Sequence, residues 1–130
     1  MKKKIFTALG LMSGTSMDGV DLSIIKSDGY NEFSSVFDDY YEFTEELYTE
    51  LTVLREKILN LDDLEVFSKE ISLLEKKFTL FNIKIINNVL KKSPEVDLVG
   101  FHGQTILHSP NQKISKQLGD GKLLSQETNS

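Results

Sequence analysis

Residues 5–29 read IFTALGLMSGTSMDGVDLSIIKSDG. Ile5, Phe6, Ala8, Leu9, Leu11 and Met12 form a short apolar run that ends in small residues, the pattern of a central strand buried on both faces. Beyond the small residues, Val20, Leu22, Ile24 and Ile25 resume an apolar pattern, alternating in part with Asp21 and Ser23, until Ser27-Asp28-Gly29 turns the chain. The pair reads as a β-hairpin with an unusually rich connection. The first run also resembles the apolar core of a secretory leader, but Thr7 and Gly10 interrupt it and no A-x-A cleavage site follows. A buried strand in a cytoplasmic protein is the expectation.

Working outward, residues 34–43, with Val36, Phe37, Tyr40, Tyr41 and Phe43, continue the hairpin as a third strand of an antiparallel meander. Thr44, followed by Glu45, Glu46 and Leu47, has the form of an N-cap with carboxylates suited to the positive end of a helix, predicted over residues 45–59. Asn60 to Asp63 supply a stop and a new cap, and a single long helix is predicted from there to about Lys92, where Ser93-Pro94 ends it. Its apolar residues Leu64, Phe67, Ile71, Leu74, Phe78, Phe81 and Ile85 step by three and four, which makes one buried stripe. The stripe also fits a seven-residue repeat, but Leu73, Leu80, Ile86 and Leu90 widen the face beyond a coiled-coil seam, so packing on a sheet is preferred. Residues 96–101 read as a further strand, residues 106–108 and 117–118 as a hairpin, and residues 121–128 as a short helix. A meander feeding helices and then another strand is an α/β chain with a mixed sheet and helical cover.

At 130 residues the chain is the size of one domain, and 39% hydrophobic with 27% charged residues is ordinary globular usage, so a packed core is expected. A net charge of −5 argues against a surface that neutralises nucleic-acid phosphates or an anionic membrane. The basic run Lys2 to Lys4 reads as protection of an edge strand. With no cysteine, disulfide, thiolate and cysteine-metal chemistry are excluded.

The hairpin connection is where chemistry is concentrated. Gly14 and Gly19 allow sharp turns and close approach of backbone to a ligand, and the N–H groups and hydroxyls of Ser13, Thr15 and Ser16 can surround phosphate oxygens. Asp18 or Asp21 can hold hydrated Mg²⁺, which needs only one or two protein carboxylates beside the phosphates. Against this, Asp-Gly is a common hairpin dipeptide and loops are rich in Ser and Thr, so the residues alone leave a plain turn open. The spacing is neither that of a Walker loop nor of a dinucleotide-binding loop.

Two longer strings narrow the choice. Residues 10–21, GLMSGTSMDGVD, resemble the opening signature of the anhydro-N-acetylmuramic acid kinases. Some eighty residues later come Gly100-Phe101-His102-Gly103-Gln104-Thr105, then His108 and Pro110, then Gln117-Leu118-Gly119-Asp120-Gly121, similar to that family's HGQT and Q-[IL]-G-D segments and in the same order. The resemblance implies an actin/hexokinase-like (ribonuclease H-like) kinase lobe, with residues 1–130 as the N-terminal lobe of a two-domain sugar kinase and the second lobe absent. It implies ATP and Mg²⁺ as cofactors and the conversion of anhydro-N-acetylmuramic acid, ATP and water to N-acetylmuramic acid 6-phosphate and ADP in peptidoglycan recycling. It also allows a homodimer of the complete enzyme. Carried onto this sequence, Gly14, Thr15, Ser16, Met17, Asp18, Gly19, Val20 and Asp21 match the ATP-phosphate segment, with Asp18 holding Mg²⁺ through water. His102, Gln104 and Thr105 are the candidates for sugar or phosphate contacts. The family's general base is expected beyond Ser130, so no catalytic residue is assigned and the chain alone is expected to be inactive. His102 and His108, six apart with no third ligand at metal spacing, are not read as a zinc pair. The competing reading is a non-catalytic binding or helical oligomerisation module built on the long helix.

Overall fold

The first apolar run becomes strand β1 (Phe6–Ser13), paired antiparallel with β2 (Gly19–Ser27) so that Phe6 stands opposite Ser27 and Ser13 opposite Val20. Strand β3 (Phe33–Glu42) pairs antiparallel with the other edge of β2, with a register irregularity between Ile24 and Ile25. The chain then runs through helices α1 (Glu45–Lys57), α2 (Leu61–Val66) and α3 (Ser68–Leu90) before β4 (Leu98–Phe101) returns parallel to β1. Parallel neighbours need such a crossover, and the sheet order is β3-β2-β1-β4. A separate two-stranded sheet, β5 (Gln104–Ser109) with β6 (Ile114–Leu118), and helix α4 (Gly121–Thr128) complete the chain. This computed structural model describes residues 5–13, 18–28, 33–92, 95–109 and 114–128, with residues 33, 107–109 and 114–116 described by backbone alone.

Alternation puts Leu9, Leu11, Val20, Leu22 and Ile24 on one face of the sheet, all essentially without exposure. Helix α1 covers them with Leu47, Leu51 and Leu54, and α3 with Ile71, Leu74, Phe78, Ile85, Ile86 and Val89. Each such side chain contributes about 1.5–3 kcal/mol on burial. Phe43 meets Phe78 and Phe81 edge-on at centroid distances of 5.9 and 5.2 Å, and Phe78 stacks on Phe101 at 6.0 Å. These rings tie the end of the meander, the long helix and the returning strand into one core. The opposite face carries Gly10, Met12, Asp21 and Leu98 exposed, so β1 is buried on one face only and not on both as its apolar run suggested, because the covering helices pack on the other side of the sheet.

The predicted mixed sheet with helical cover is present, and the stripe of α3 lies against the sheet. Thr44 caps α1 as expected, its hydroxyl accepting from Leu47 N at 3.1 Å. One element differs. The single helix expected over residues 61–92 is broken at Phe67, which ends α2 and begins α3 with φ −101° and ψ 23°. The break lets Phe67 pack against the core while Val66 stays 71% exposed. No glycine or proline marks it, because tertiary packing imposes it. Leu73 and Leu80, counted toward the buried face from their spacing, are instead 67% and 45% exposed. Among the described residues no helix is long and apolar enough to cross a membrane.

Candidate functional site at the carboxyl ends of β1 and β4

Because β1 and β4 run parallel in the register Leu11 opposite Phe101, both carry their following segments to the same end of the sheet. There β1 hands over to the hairpin connection and β4 to His102-Gly103-Gln104-Thr105. His102 N donates to Leu11 O at 3.2 Å, and at the other end of the parallel pair Thr7 N donates to Asp97 Oδ2 at 2.8 Å while Asp97 N donates to Thr7 O at 2.7 Å. The strands that carry the two sequence motifs thus leave the same end of the sheet, the position where open α/β sheets bind ligands.

Of the connection, Gly14, Thr15, Ser16 and Met17 lie outside the described residues. Ser13 is the last residue of β1 and is buried, Asp18 is an exposed bend, and Gly19, Val20 and Asp21 already belong to β2. Phe43 N donates to Asp18 O at 2.9 Å, which fastens the connection to the end of the meander. Gly19 is required by space: a Cβ there would lie 2.3 Å from Tyr41 O and 2.8 Å from the Tyr40 hydroxyl. Val20 points into the core with no exposure, so only its backbone is available to a ligand. Asp21 is exposed on the outer face, in register with Met12 on one side and Tyr40 on the other.

This corner is electrostatically negative. Burial, and then the charges of Asp18, Glu42 and Asp21, hold the Tyr40 phenol above its ordinary value. Hard carboxylate oxygens on exposed backbone suit hydrated Mg²⁺, and among the described residues no group of three or more ligating side chains forms the kind of cage that zinc or calcium takes. Asp18 and Asp21, both exposed, are carboxylates of the donor type that hydrated Mg²⁺ takes.

On the other strand, His102 is exposed, Thr105 half-buried and Gln104 1% exposed. Their setting comes from the third matched string. Gly103 has φ +86°, and a Cβ on it would stand 2.3 Å from Leu118 O. Gly119 has φ +147°, and a Cβ there would meet the Phe101 ring at 3.0 Å and Gly103 Cα at 3.4 Å. HGQT and QLGD are therefore two halves of one backbone contact, and Gln117 Nε2 lies 3.4 Å from His102 Nε2. Asp120 is the cap of α4, its Oδ1 accepting from Leu123 N at 3.0 Å. His108 lies in β5, and its side chain is outside the described residues.

Sequence reasoning missed the residues that hold this corner from behind. On α3, Glu75 Oε2 accepts from Gly119 N at 3.2 Å and Thr79 Oγ1 from Asp120 N at 3.0 Å. The available signal was Glu75, Thr79 and Asn82, a polar row at helical spacing whose last two members are fully buried beside the apolar stripe.

Comparison with known proteins agrees with the motifs. The family model described as anhydro-N-acetylmuramic acid kinase matches residues 6–130. The chain is 53% identical over 124 residues to a protein of Pelagibacter ubique called anhydro-N-acetylmuramic acid kinase, covering 95% of the chain and 33% of that relative. Identity to the proteins of the same name from Rhodopseudomonas palustris is 38% over 127 residues (92% of the chain, 34% of the relative), and from Agrobacterium fabrum 32% over 136 (96% and 35%). The chain thus spans about a third of the length of the curated relatives it matches. With the family match running through both motif-bearing strands and the mixed sheet between them, this chain belongs to the anhydro-N-acetylmuramic acid kinase family.

Proposed function

We propose that the chain is the N-terminal, ATP-phosphate-binding part of a two-lobed cytoplasmic sugar kinase. The reaction of the whole protein would convert anhydro-N-acetylmuramic acid, ATP and water to N-acetylmuramic acid 6-phosphate and ADP in peptidoglycan recycling. The observation that supports this reading is that the connection leaving β1 toward Asp18 and the His102–Thr105 segment leaving β4 start from the carboxyl ends of two parallel, paired strands, with His102 N on Leu11 O. In this reading, the segment Gly14 to Asp21 binds the ATP phosphates, and Asp18 holds Mg²⁺ through water. His102, Gln104 and Thr105 form the wall that faces the sugar or the transferred phosphate. Bound Mg²⁺ would supply neutralisation of charge on the nucleotide phosphates. The second lobe, the adenosine contacts and the general base would lie in the further two thirds of length that the relatives have. A homodimer of the whole protein is compatible with this division.

The test uses backbone amide signals of the purified 130-residue chain titrated with Mg-ATP, beside a coupled ADP-release assay with anhydro-N-acetylmuramic acid. The expected result is a weak, saturable perturbation centred on Asp18 to Asp21, lost in Asp18→Asn, with no sugar-dependent ADP release. Half a cleft neither positions the reacting atoms nor excludes water. No perturbation at Asp18 to Asp21 would refute the phosphate-loop assignment. Sugar-dependent turnover by the 130-residue monomer would refute the assignment of the general base to another lobe.

A further inference from the structure

We infer that Glu75 and Thr79 of α3 are positioning residues, which hold the Gly119–Asp120 corner and through it set the position of the His102–Thr105 segment. The inference rests on the reading of that segment as a wall of the site. The chain of contacts is short and each link is specific. Thr79 has no exposure, and its hydroxyl accepts from Asp120 N at 3.0 Å; the half-buried Glu75 carboxylate accepts from Gly119 N at 3.2 Å. Two successive backbone donors of a corner that leaves a sheet are thus fixed by one helix. Both follow the last paired residue of β6, Leu118, and part-buried donors left unpaired are costly.

Gly119 in turn packs on Phe101 and Gly103 so closely that a single added methyl group would press on the Phe101 ring and touch Gly103. Leu118 stands opposite Gln104 and Gln117 opposite Thr105 in the β5–β6 pair, and Gln117 reaches the His102 ring. Moving the Gly119–Asp120 corner away from α3 therefore moves the partners of three of the four residues in the His102–Thr105 segment. Helix α3 is itself anchored by Phe78, with no exposure, against Phe43 and Phe101. The rigid core is in this way carried to the edge of the site by two polar side chains, without either touching a substrate.

The experiment compares the wild-type chain with Thr79→Val, Thr79→Ser and Glu75→Ala, reading amide exchange at Gly119, Asp120 and Leu51 and the ring signals of His102. A net hydrogen bond of ordinary strength corresponds to about a tenfold change in a local opening constant. Thr79→Val is expected to speed exchange at Asp120 and Gly119 by about that factor and to shift the His102 signals, while Leu51 in α1 is unchanged. Thr79→Ser, which keeps the acceptor, is expected to restore both. Should Thr79→Val fail to fold, Glu75→Ala removes the other acceptor from the half-buried side and gives the same readout. Unchanged His102 signals and unchanged exchange at Gly119 and Asp120 would overturn the inference. So would faster exchange spread evenly to Leu51 with His102 unmoved, since that is general destabilisation. None of these readouts needs a ligand, so absence of Mg-ATP perturbation at Asp18 to Asp21 would refute the site reading and leave this one standing.

Discussion

Replacing Gly103 by alanine should cost about 2–4 kcal/mol of folding stability, and the estimate comes from two separate terms. The backbone at Gly103 has φ +86°, a region that costs an L-residue with a side chain about 1–2 kcal/mol. The new Cβ would also lie 2.3 Å from Leu118 O, so that carbonyl must retreat by about 1 Å to reach ordinary contact. Leu118 is fully buried and paired with Gln104, so the retreat disturbs a buried strand pair, at about 1–2 kcal/mol if one net hydrogen bond is weakened. Domains of this kind have about 5–15 kcal/mol in total, so the variant should fold with a clearly lowered urea midpoint. Gly121→Ala is the control: nothing lies within 4 Å of its added methyl group, and its helical position predicts no loss and a gain of up to about 1 kcal/mol. Urea unfolding followed by far-ultraviolet circular dichroism measures both. A Gly103→Ala protein within about 0.5 kcal/mol of wild type would refute the claim that this motif glycine is fixed by space and conformation.

Phe78→Ala should cost about 3–5 kcal/mol in the same assay, because it empties a fully buried site between Phe43 and Phe101; a loss below 1.5 kcal/mol would mean that the core closes over the gap. The Ser23 hydroxyl, and then that of Ser35, hold the Asp38 carboxyl below its ordinary value, so this contribution to stability is present above the unfolded carboxyl value and lost as pH falls through the folded one. The stability difference between wild type and Ser23→Ala/Ser35→Ala should therefore close on acidification below about pH 4, and parallel curves would exclude the linkage. Tyr40 is raised, so its contribution is present below the unfolded phenol value and lost as pH rises through the folded one. Asp18→Asn should lower the Tyr40 titration, read by ultraviolet absorbance, and Mg²⁺ should do the same in the wild type if it sits at these carboxylates; an unmoved titration in Asp18→Asn would remove Asp18 from the field.

The strands were legible from the alternation in residues 19–25 and the dense apolar run before it, but the run read as buried on both faces whereas Met12 is 57% exposed, since apolar density does not tell whether a second layer covers the sheet. The stripe of α3 was legible from its spacing. What spacing could not give was the break at Phe67, since both sides of it keep helical periodicity and only the packing of one ring decides where the helix turns. Leu73 and Leu80 misled because apolar residues on a helix flank look the same whether or not a neighbour covers them. In the site, composition left the Asp18-Gly19 connection between a phosphate loop and a simple turn, and family resemblance gave it a meaning. The glycines of the two later strings were visible, but their mutual contact was not, because it joins residues through φ values and backbone approach that no side-chain pattern records. Glu75 and Thr79 were hidden among the other polar residues of a helix that has many.

The parallel pairing of β1 with β4 also imposes an order on synthesis. Strands β1, β2 and β3 can form their meander as soon as residue 42 is available, whereas the second edge of β1 waits for residues 98–101. At about 5–20 residues per second, the stretch from residue 42 to residue 101 takes roughly 3–12 seconds on the ribosome. During that interval the helices that cover Leu9, Leu11 and Leu22 are also still being made, and a strand edge lies open beside apolar side chains. The nascent chain is therefore most exposed to misassociation after its hairpin is complete and before residue 101, a window in which chaperone binding would have the most to protect.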